Sequence, residues 1–288
     1  MLSSVTIPES VTSIGKEVFS GCDILTEINV SSQNTKYKSI NGVLYSKDEK
    51  TLIACPGGKT GDFSIPEKVT VIGECAFCNC DSLVSVTFPE NVKSIEDSAF
   101  CGCDKLESVT IQDGLMSIGT DAFYYCTSLT SITIPDSVTF IGNSAFEYCE
   151  SLVSIKLPES VTSIGKYAFC NCDSLISIKI PDGVTSIEES AFSGCRSLAS
   201  VTIPDSVTNI GNYAFGGCTS LASVTLPENL TSIGYSAFSN CNSLVSIILP
   251  ESVTIIEDDA FWNCTSLKDV WYIGAEDQKN KINIKYGN

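Results

Sequence analysis

The sequence predicts a solenoid, a rod in which short coils stack one on the next. Two observations carry this prediction. A 23-residue unit, L-x-S-V-T-I-P-x-S-V-T-S-I-G-x-x-A-F-x-x-C-x-S, recurs in register, and eight copies follow one another without a gap, opening at Leu83, Leu106, Leu129, Leu152, Leu175, Leu198, Leu221 and Leu244. A ninth opens at Leu2, and part of a tenth runs from Phe63 to Ser82. The second observation is where the apolar residues fall. They are dispersed through the unit, so no run approaches the roughly 18 residues of a membrane span. No single unit can bury its own apolar face, and stacking does it instead. Each coil then touches only its neighbours, and a chain of 288 residues needs no division into globular domains.

The unit Leu152 to Ser174 shows how each element arises. Leu152, Ile155 and Leu157 follow the L-x-x-L-x-L strand pattern of a leucine-rich repeat, which turns Ser154 and Lys156 to the opposite, outward face. Pro158 ends the strand because it has no N–H to give to a ladder. Glu159 and Ser160 make the corner. Val161 and Ile164 bound a second short extended piece, rich in β-branched residues. Gly165 turns the chain, and residues 166–170 suffice for about one helical or 3₁₀ turn with Ala168 and Phe169 inward. Asn171 follows as a left-handed residue, and Cys172 returns to the core. The Asn171 column reads Gly21, Asn79, Gly102, Asn171, Gly194, Gly217, Asn240 and Asn263, broken only by Tyr125 and Tyr148. Gly and Asn tolerate positive φ, so a backbone requirement explains the column. Stacking at about 4.8 Å per coil predicts ladders of like residues, above all a phenylalanine ladder from Phe19 through Phe77 to Phe261.

The wording I-P-x-x-V-T-S-I-G-x-x-A-F-x-x-C-x-S-L closely resembles the BspA-like, or Treponema-type, leucine-rich repeat, over residues 2–30 and about 63–272. The resemblance implies a right-handed solenoid with a parallel sheet on its concave side. It also implies a surface or secreted protein engaged in adhesion to host proteins or other cells, and it brings no catalytic residues.

Of the fifteen cysteines, ten form a column: Cys22, Cys80, Cys103, Cys126, Cys149, Cys172, Cys195, Cys218, Cys241 and Cys264. These read as buried reduced thiols, each able to bond weakly to a nearby carbonyl. Side chains in a parallel register point alongside each other, which suits a disulfide poorly. Cys55, Cys75, Cys78, Cys101 and Cys170 lie off the column. Cys78 and Cys101 share a position in adjacent coils, which leaves a disulfide or reactive pair open there. Zinc would need four convergent thiolates, and one member of each C-x-C pair is committed to the core.

Charge and composition narrow the function. With 34 acidic and 17 basic residues the formal charge is −17, which repels phosphate backbones and anionic lipid. Histidine is absent, removing the usual general base and the commonest zinc ligand. The expected protein is therefore not an enzyme, carries no cofactor or catalytic or metal site, binds no nucleic acid, does not insert into a membrane and is a monomer. Its expected partner is a protein or glycoprotein bound on the concave face, where Ser131, Ser154, Lys156, Ser177, Lys179, Ser200 and Thr202 are the candidate binding residues. Exposed aliphatics, among them Val84, Val153, Ile176 and Val245, flank them. Tyr124, Tyr125, Tyr148 and Tyr167 add aromatic surface, although on the side expected to be helical. The competing reading is a structural spacer presenting another domain, favoured by the near-identity of the coils. An acidic column, Glu9, Glu67, Glu90, Asp113, Asp136, Glu159, Asp182, Asp205, Glu228 and Glu251, reads as solvated corner chemistry, with calcium bridging between coils as the alternative.

The organisation follows in four parts: first repeats at 1–30, a hairpin or meander insertion at 31–62, regular repeats at 63–266 and a C-terminal cap at 267–288. Asn41–Gly42 between extended stretches is a strong hairpin signal, and the insertion is expected to protrude as a β-meander with five lysines against three acids. In the cap, Trp271 and Tyr272 are expected to cover the last coil, followed by a short polar helix at Glu276–Lys281 and a strand at Ile282–Tyr286. Because the chain opens inside a repeat with no signal or cap ahead of it, a fragment of a longer cell-surface or extracellular protein is expected.

Overall fold

The structure is a computed structural model that describes residues 3–274 and, in backbone only, 283–284. It is a leucine-rich-repeat solenoid of about 12 turns at about 23 residues per coil. The first strands of successive coils form a parallel seven-stranded sheet from Gly61–Ser64 to Ser200–Thr202. Shorter parallel pairs flank it, Ser4–Ile7 with Glu27–Val30 and Ser246–Leu249 with Asp269–Tyr272. The second strands, two residues each in the regular coils, build the opposite wall; Ser163–Ile164, for example, pairs with Phe140–Ile141. Register is strict: Ser108 faces Ser85 and Ser131, and Ser177 faces Ser200.

The interior is the set of ladders that the period predicts. From Phe77 to Phe261 each phenylalanine ring stacks on the next, with centroids 4.6–5.7 Å apart and planes within 11° of parallel. Phe19 departs from the expected ladder. The second coil has no Ala-Phe turn to carry the stack, so Phe19 packs in a separate small core with Ile7, Leu25, Ile28 and Leu44. Phe63 meets Phe77 edge-on at the start of the main stack.

The cysteine column is engaged from Cys103 onward; Cys22, expected to be buried, is only partly so, and Cys80 reaches the Cys55 carbonyl at 3.8 Å. Each thiol from Cys103 to Cys264 donates to the carbonyl of the phenylalanine 26 residues earlier, at 3.0–3.2 Å, as Cys172 does to Phe146. The phenylalanine carbonyl takes the thiol as a second donor, beside the backbone amide of the cysteine three residues on, as Phe146 takes that of Cys149. Burial pushes the Cys126, Cys149 and Cys218 thiols upward. Native-state alkylation at neutral pH is therefore expected to spare the column from Cys126 to Cys241 and to label Cys78 first among the half-buried thiols outside it. Peptide mapping checks this, and labelling of Cys149 before unfolding would contradict it.

The segment expected as a helical or 3₁₀ turn is neither. In residues 167–172 the backbone donors alternate. Tyr167, Phe169 and Asn171 donate forward to Glu189, Ala191 and Ser193 of the next coil, whereas Ala168, Cys170 and Cys172 donate back three residues. This makes a third inter-coil ladder from paired turns. A continuous helical turn would spend every amide within its own coil. The alternation requires positive φ at two places per coil. One is the Gly/Asn column, including Tyr125 (61°) and Tyr148 (59°); the other is unforeseen and holds residues such as Ser98 (54°), Asp121 (53°), Tyr167 (59°) and Ser190 (53°). Corner serines add a further inter-coil bond: Ser137, Ser160, Ser206 and Ser252 each donate to a carbonyl of the preceding coil at 2.6 Å.

The insertion is a meander, but it does not protrude. Tyr37–Ile40 and Val43–Ser46 form an antiparallel hairpin about Asn41 (φ 50°) and Gly42 (φ 78°). Val43–Ser46 then pairs antiparallel with Thr51–Ala54, which pairs parallel with Val71–Ile72. The meander therefore forms the end of the second-strand sheet, with Val43, Leu44, Tyr45 and Leu52 buried, because three consecutive apolar side chains have no stable place on a free hairpin. At the other end, Trp271 does not cover the last coil. It lies in register with Ile248, an outward position, and is 59% exposed, while Tyr272 packs on the core. The polar helix expected at Glu276–Lys281 lies outside the described residues; Asn283–Ile284 pairs with Ile255–Ile256 as a last strand.

Candidate binding face

The seven candidate residues come together on the first-strand sheet. Ser131 faces Ser154, Ser154 faces Ser177, Ser177 faces Ser200 and Lys179 faces Thr202 across successive strands. All seven are exposed, because the residues between them (Ile132, Ile155, Ile178 and Val201) point inward and are buried. Beside them runs an aliphatic row, with Val153, Ile176 and Val245 about half exposed. Ser154, Lys156, Ser177 and Lys179, with Glu159, line a shallow depression of about 370 Å³.

One contact here was not foreseen. Lys179 reaches back one coil to the acidic corner column and pairs with Glu159 at 2.5 Å. Lys179, with help from the Asp182 N–H at 3.2 Å, holds the Glu159 carboxyl below its ordinary range. The corner column and the sheet face thus meet at this point, and the face presents a charged pair where the strand column alone suggested two free cations. The acidic column does not converge elsewhere: among the described residues no three His, Cys, Asp or Glu side chains gather as metal ligands.

The tyrosines lie on the turn face, away from the lysines. Tyr124, Tyr125 and Tyr148 cluster with ring centroids 5.4–5.9 Å apart. Tyr167 stands apart from them and donates its hydroxyl to Glu189 at 3.0 Å. Nor do the insertion's lysines form an open basic patch. Lys38 pairs with Glu49, which also takes Lys68 at 3.1 Å, and Lys47 and Lys59 donate to the carbonyls of Asn34 and Asn41.

The profile of the BspA type leucine rich repeat region matches this chain in six copies, over residues 1–46, 57–162 and 140–268. Among curated proteins no sequence matches. Several solved structures are similar. A leucine-rich repeat protein from Eubacterium ventriosum is 29% identical with a TM-score of 0.62, over 83% of this chain and 58% of its own. The T. pallidum leucine rich repeat protein is 34% identical with a TM-score of 0.58, over 66% of this chain and 89% of its own. A leucine-rich repeat protein from Bacteroides ovatus is 28% identical with a TM-score of 0.53, over 93% and 80%. This chain thus spans little more than half the length of the Eubacterium ventriosum protein.

Proposed function

Since the chain belongs to the BspA-type leucine-rich-repeat family, we propose that it is a non-catalytic binding module that engages a protein or glycoprotein through its first-strand sheet, at a cell surface or outside the cell. One observation carries this reading: seven exposed hydroxyl and lysine side chains stand in strict register beside a row of exposed aliphatics. Small hydroxyls that can donate or accept, next to apolar side chains that gain from leaving water, suit a broad and flat partner. The net charge of −17 favours a partner without phosphate or anionic lipid. The repeated, nearly uniform face also fits the spacer reading, and the same experiment separates the two.

The test is capture of matrix and cell-surface glycoproteins by the immobilised chain, repeated with Lys156→Glu and Lys179→Glu together. Capture is expected to fall about tenfold, equal to roughly 1.4 kcal/mol. Both lysines are exposed, so thermal unfolding followed by circular dichroism should be little changed. Unchanged capture removes the sheet-face assignment, and no capture by the unaltered chain favours the spacer.

A further inference from the structure

Three of the five cysteines outside the column, Cys55, Cys75 and Cys78, line one cavity, and Cys101 stands one coil on from Cys78. Cys55, Cys75, Cys78 and Cys101 sit where the stack is irregular, while Cys170 is buried further along. The irregularity has a simple origin: the second coil spends its turn on the meander, and the turn of the first coil meets that of the third directly. Lys16 pairs with Glu74 at 2.6 Å, and the Cys75 thiol donates to Glu17 at 3.3 Å. Ser20 donates to the Cys78 sulfur at 3.6 Å and accepts from Asn79 at 2.7 Å. The join is imperfect and leaves a cavity of about 110 Å³, lined by Lys16, Glu17, Ser20, Cys55, Cys75 and Cys78.

Cys78 and Cys101 occupy the same position in successive coils, and the Asn79 amide next to Cys78 donates to the Cys101 carbonyl at 2.8 Å. Both thiols are half-buried and free. Their situation differs from that of the column from Cys103 onward, whose thiols are sealed in the core and bonded to phenylalanine carbonyls. On the turn face, Cys78 and Cys101 stand close enough for each to perturb the other's thiol. Equivalent positions about 4.8 Å apart fall within the Cα separation a disulfide spans, and surface side chains can rotate to close it.

We infer that Cys78 and Cys101 form a dithiol that a peroxide oxidises to a disulfide bridging two successive coils. The Cys78 sulfur, as thiolate, attacks one peroxide oxygen. The O–O bond breaks, Cys78 becomes a sulfenic acid, and the departing hydroxide takes up the proton that Cys78 released, giving water. The Cys101 sulfur then attacks the Cys78 sulfur. The S–S bond forms, the S–O bond breaks, and hydroxide leaves with the Cys101 proton as a second water. Two thiols lose two electrons and two protons, and the peroxide is reduced to two waters.

The surroundings of the two sulfurs assign the roles. The neighbouring Cys101 thiol first, and then the Ser20 hydroxyl that donates to the Cys78 sulfur, bring the Cys78 thiol down to about 7, against burial and the nearby Glu17. Cys78 beside it and burial push the Cys101 thiol up. Burial and its bond to Glu17 raise Cys75 to about 12. At neutral pH Cys78 is thus the attacking sulfur and Cys101 the resolving one.

The experiment treats the reduced full chain with hydrogen peroxide at neutral pH, blocks remaining thiols and maps the peptides by mass spectrometry. The first product expected is the Cys78–Cys101 disulfide. Cys101→Ser should accumulate a sulfenic acid on Cys78, trapped by dimedone. Cys78→Ser should slow the first oxidation at least about tenfold, since the remaining thiols hold little thiolate at neutral pH. Cys170→Ser should oxidise like the unaltered chain. A first disulfide that joins any other pair, or a Cys101→Ser chain whose Cys78 takes no dimedone, overturns the assignment.

Discussion

Phe169→Ala is expected to lower the stability of the solenoid by about 3–5 kcal/mol. The ring is fully buried, stacked on Phe146 at 5.3 Å and Phe192 at 5.5 Å with planes within 5° of parallel. Truncation removes the buried ring and opens a cavity between two stacked neighbours, in a lining already held by other bonds. The Phe169 amide donates to Ala191, and its carbonyl accepts the Cys195 thiol at 3.1 Å. Those ties restrain collapse into the void, so the cost should approach the upper part of the range. Because each coil contacts only its neighbours, the loss falls on two coil interfaces and weakens the rod at its middle. Equilibrium denaturation measures the total, and hydrogen exchange should show protection lost first in residues 146–192. Phe261→Ala, at a ring that is only partly buried, should cost distinctly less. A Phe169→Ala loss below about 1 kcal/mol would mean that the stacked rings do not hold the coils together.

The parts of this fold that repeat were legible, because a period of 23 converts one reading into many checks. The leucine, phenylalanine and cysteine columns are of this kind, and so is the Gly/Asn column, whose composition reports its positive φ directly. The second positive-φ column was invisible. Its occupants, such as Cys75, Tyr167 and Ser190, carry no preference for that region. Each pays about 1–2 kcal/mol of backbone strain, which the amide bond to the next coil offsets. For the same reason a five-residue stretch passed for a helical turn: local propensity cannot report a hydrogen bond to a partner 22 residues away. The candidate face was legible as a column of outward side chains, but the Lys179–Glu159 pair was not. It joins two columns that strand alternation treats separately. The non-repeating pieces were legible only as far as local chemistry reaches. Asn41–Gly42 gave the hairpin; the docking of that hairpin depends on Val71–Ile72, beyond any local signal.

Asn34→Leu is expected to release the first coil from the rod, at a cost of about 2–4 kcal/mol. Asn34 is 1% exposed and saturated: its amide donates to the carbonyls of Pro8 and Val11 at 2.8 and 2.9 Å, and its side-chain oxygen accepts the amides of Lys36 and Tyr37 at 2.8 Å each. It therefore ties the corner of the first coil to the start of the meander. Leucine fills similar space but leaves all four backbone groups without their partner. The first coil packs on a small core of its own, separate from the long one, so the damage should remain local. Hydrogen exchange should rise in residues 3–40 while residues 106–198 keep their protection. Asn34→Asp separates the two halves of the clamp: the carboxylate still accepts from Lys36 and Tyr37, but it faces the Pro8 and Val11 carbonyls with no proton to donate. If the tie to the first coil is what matters, Asp should free that coil as Leu does while the hairpin stays protected. Because the first coil also supplies Lys16, Glu17 and Ser20 to the cavity beside Cys78, its release should speed alkylation of Cys75 and Cys78. Uniform loss of protection along the whole rod would instead show that one core runs through both ends.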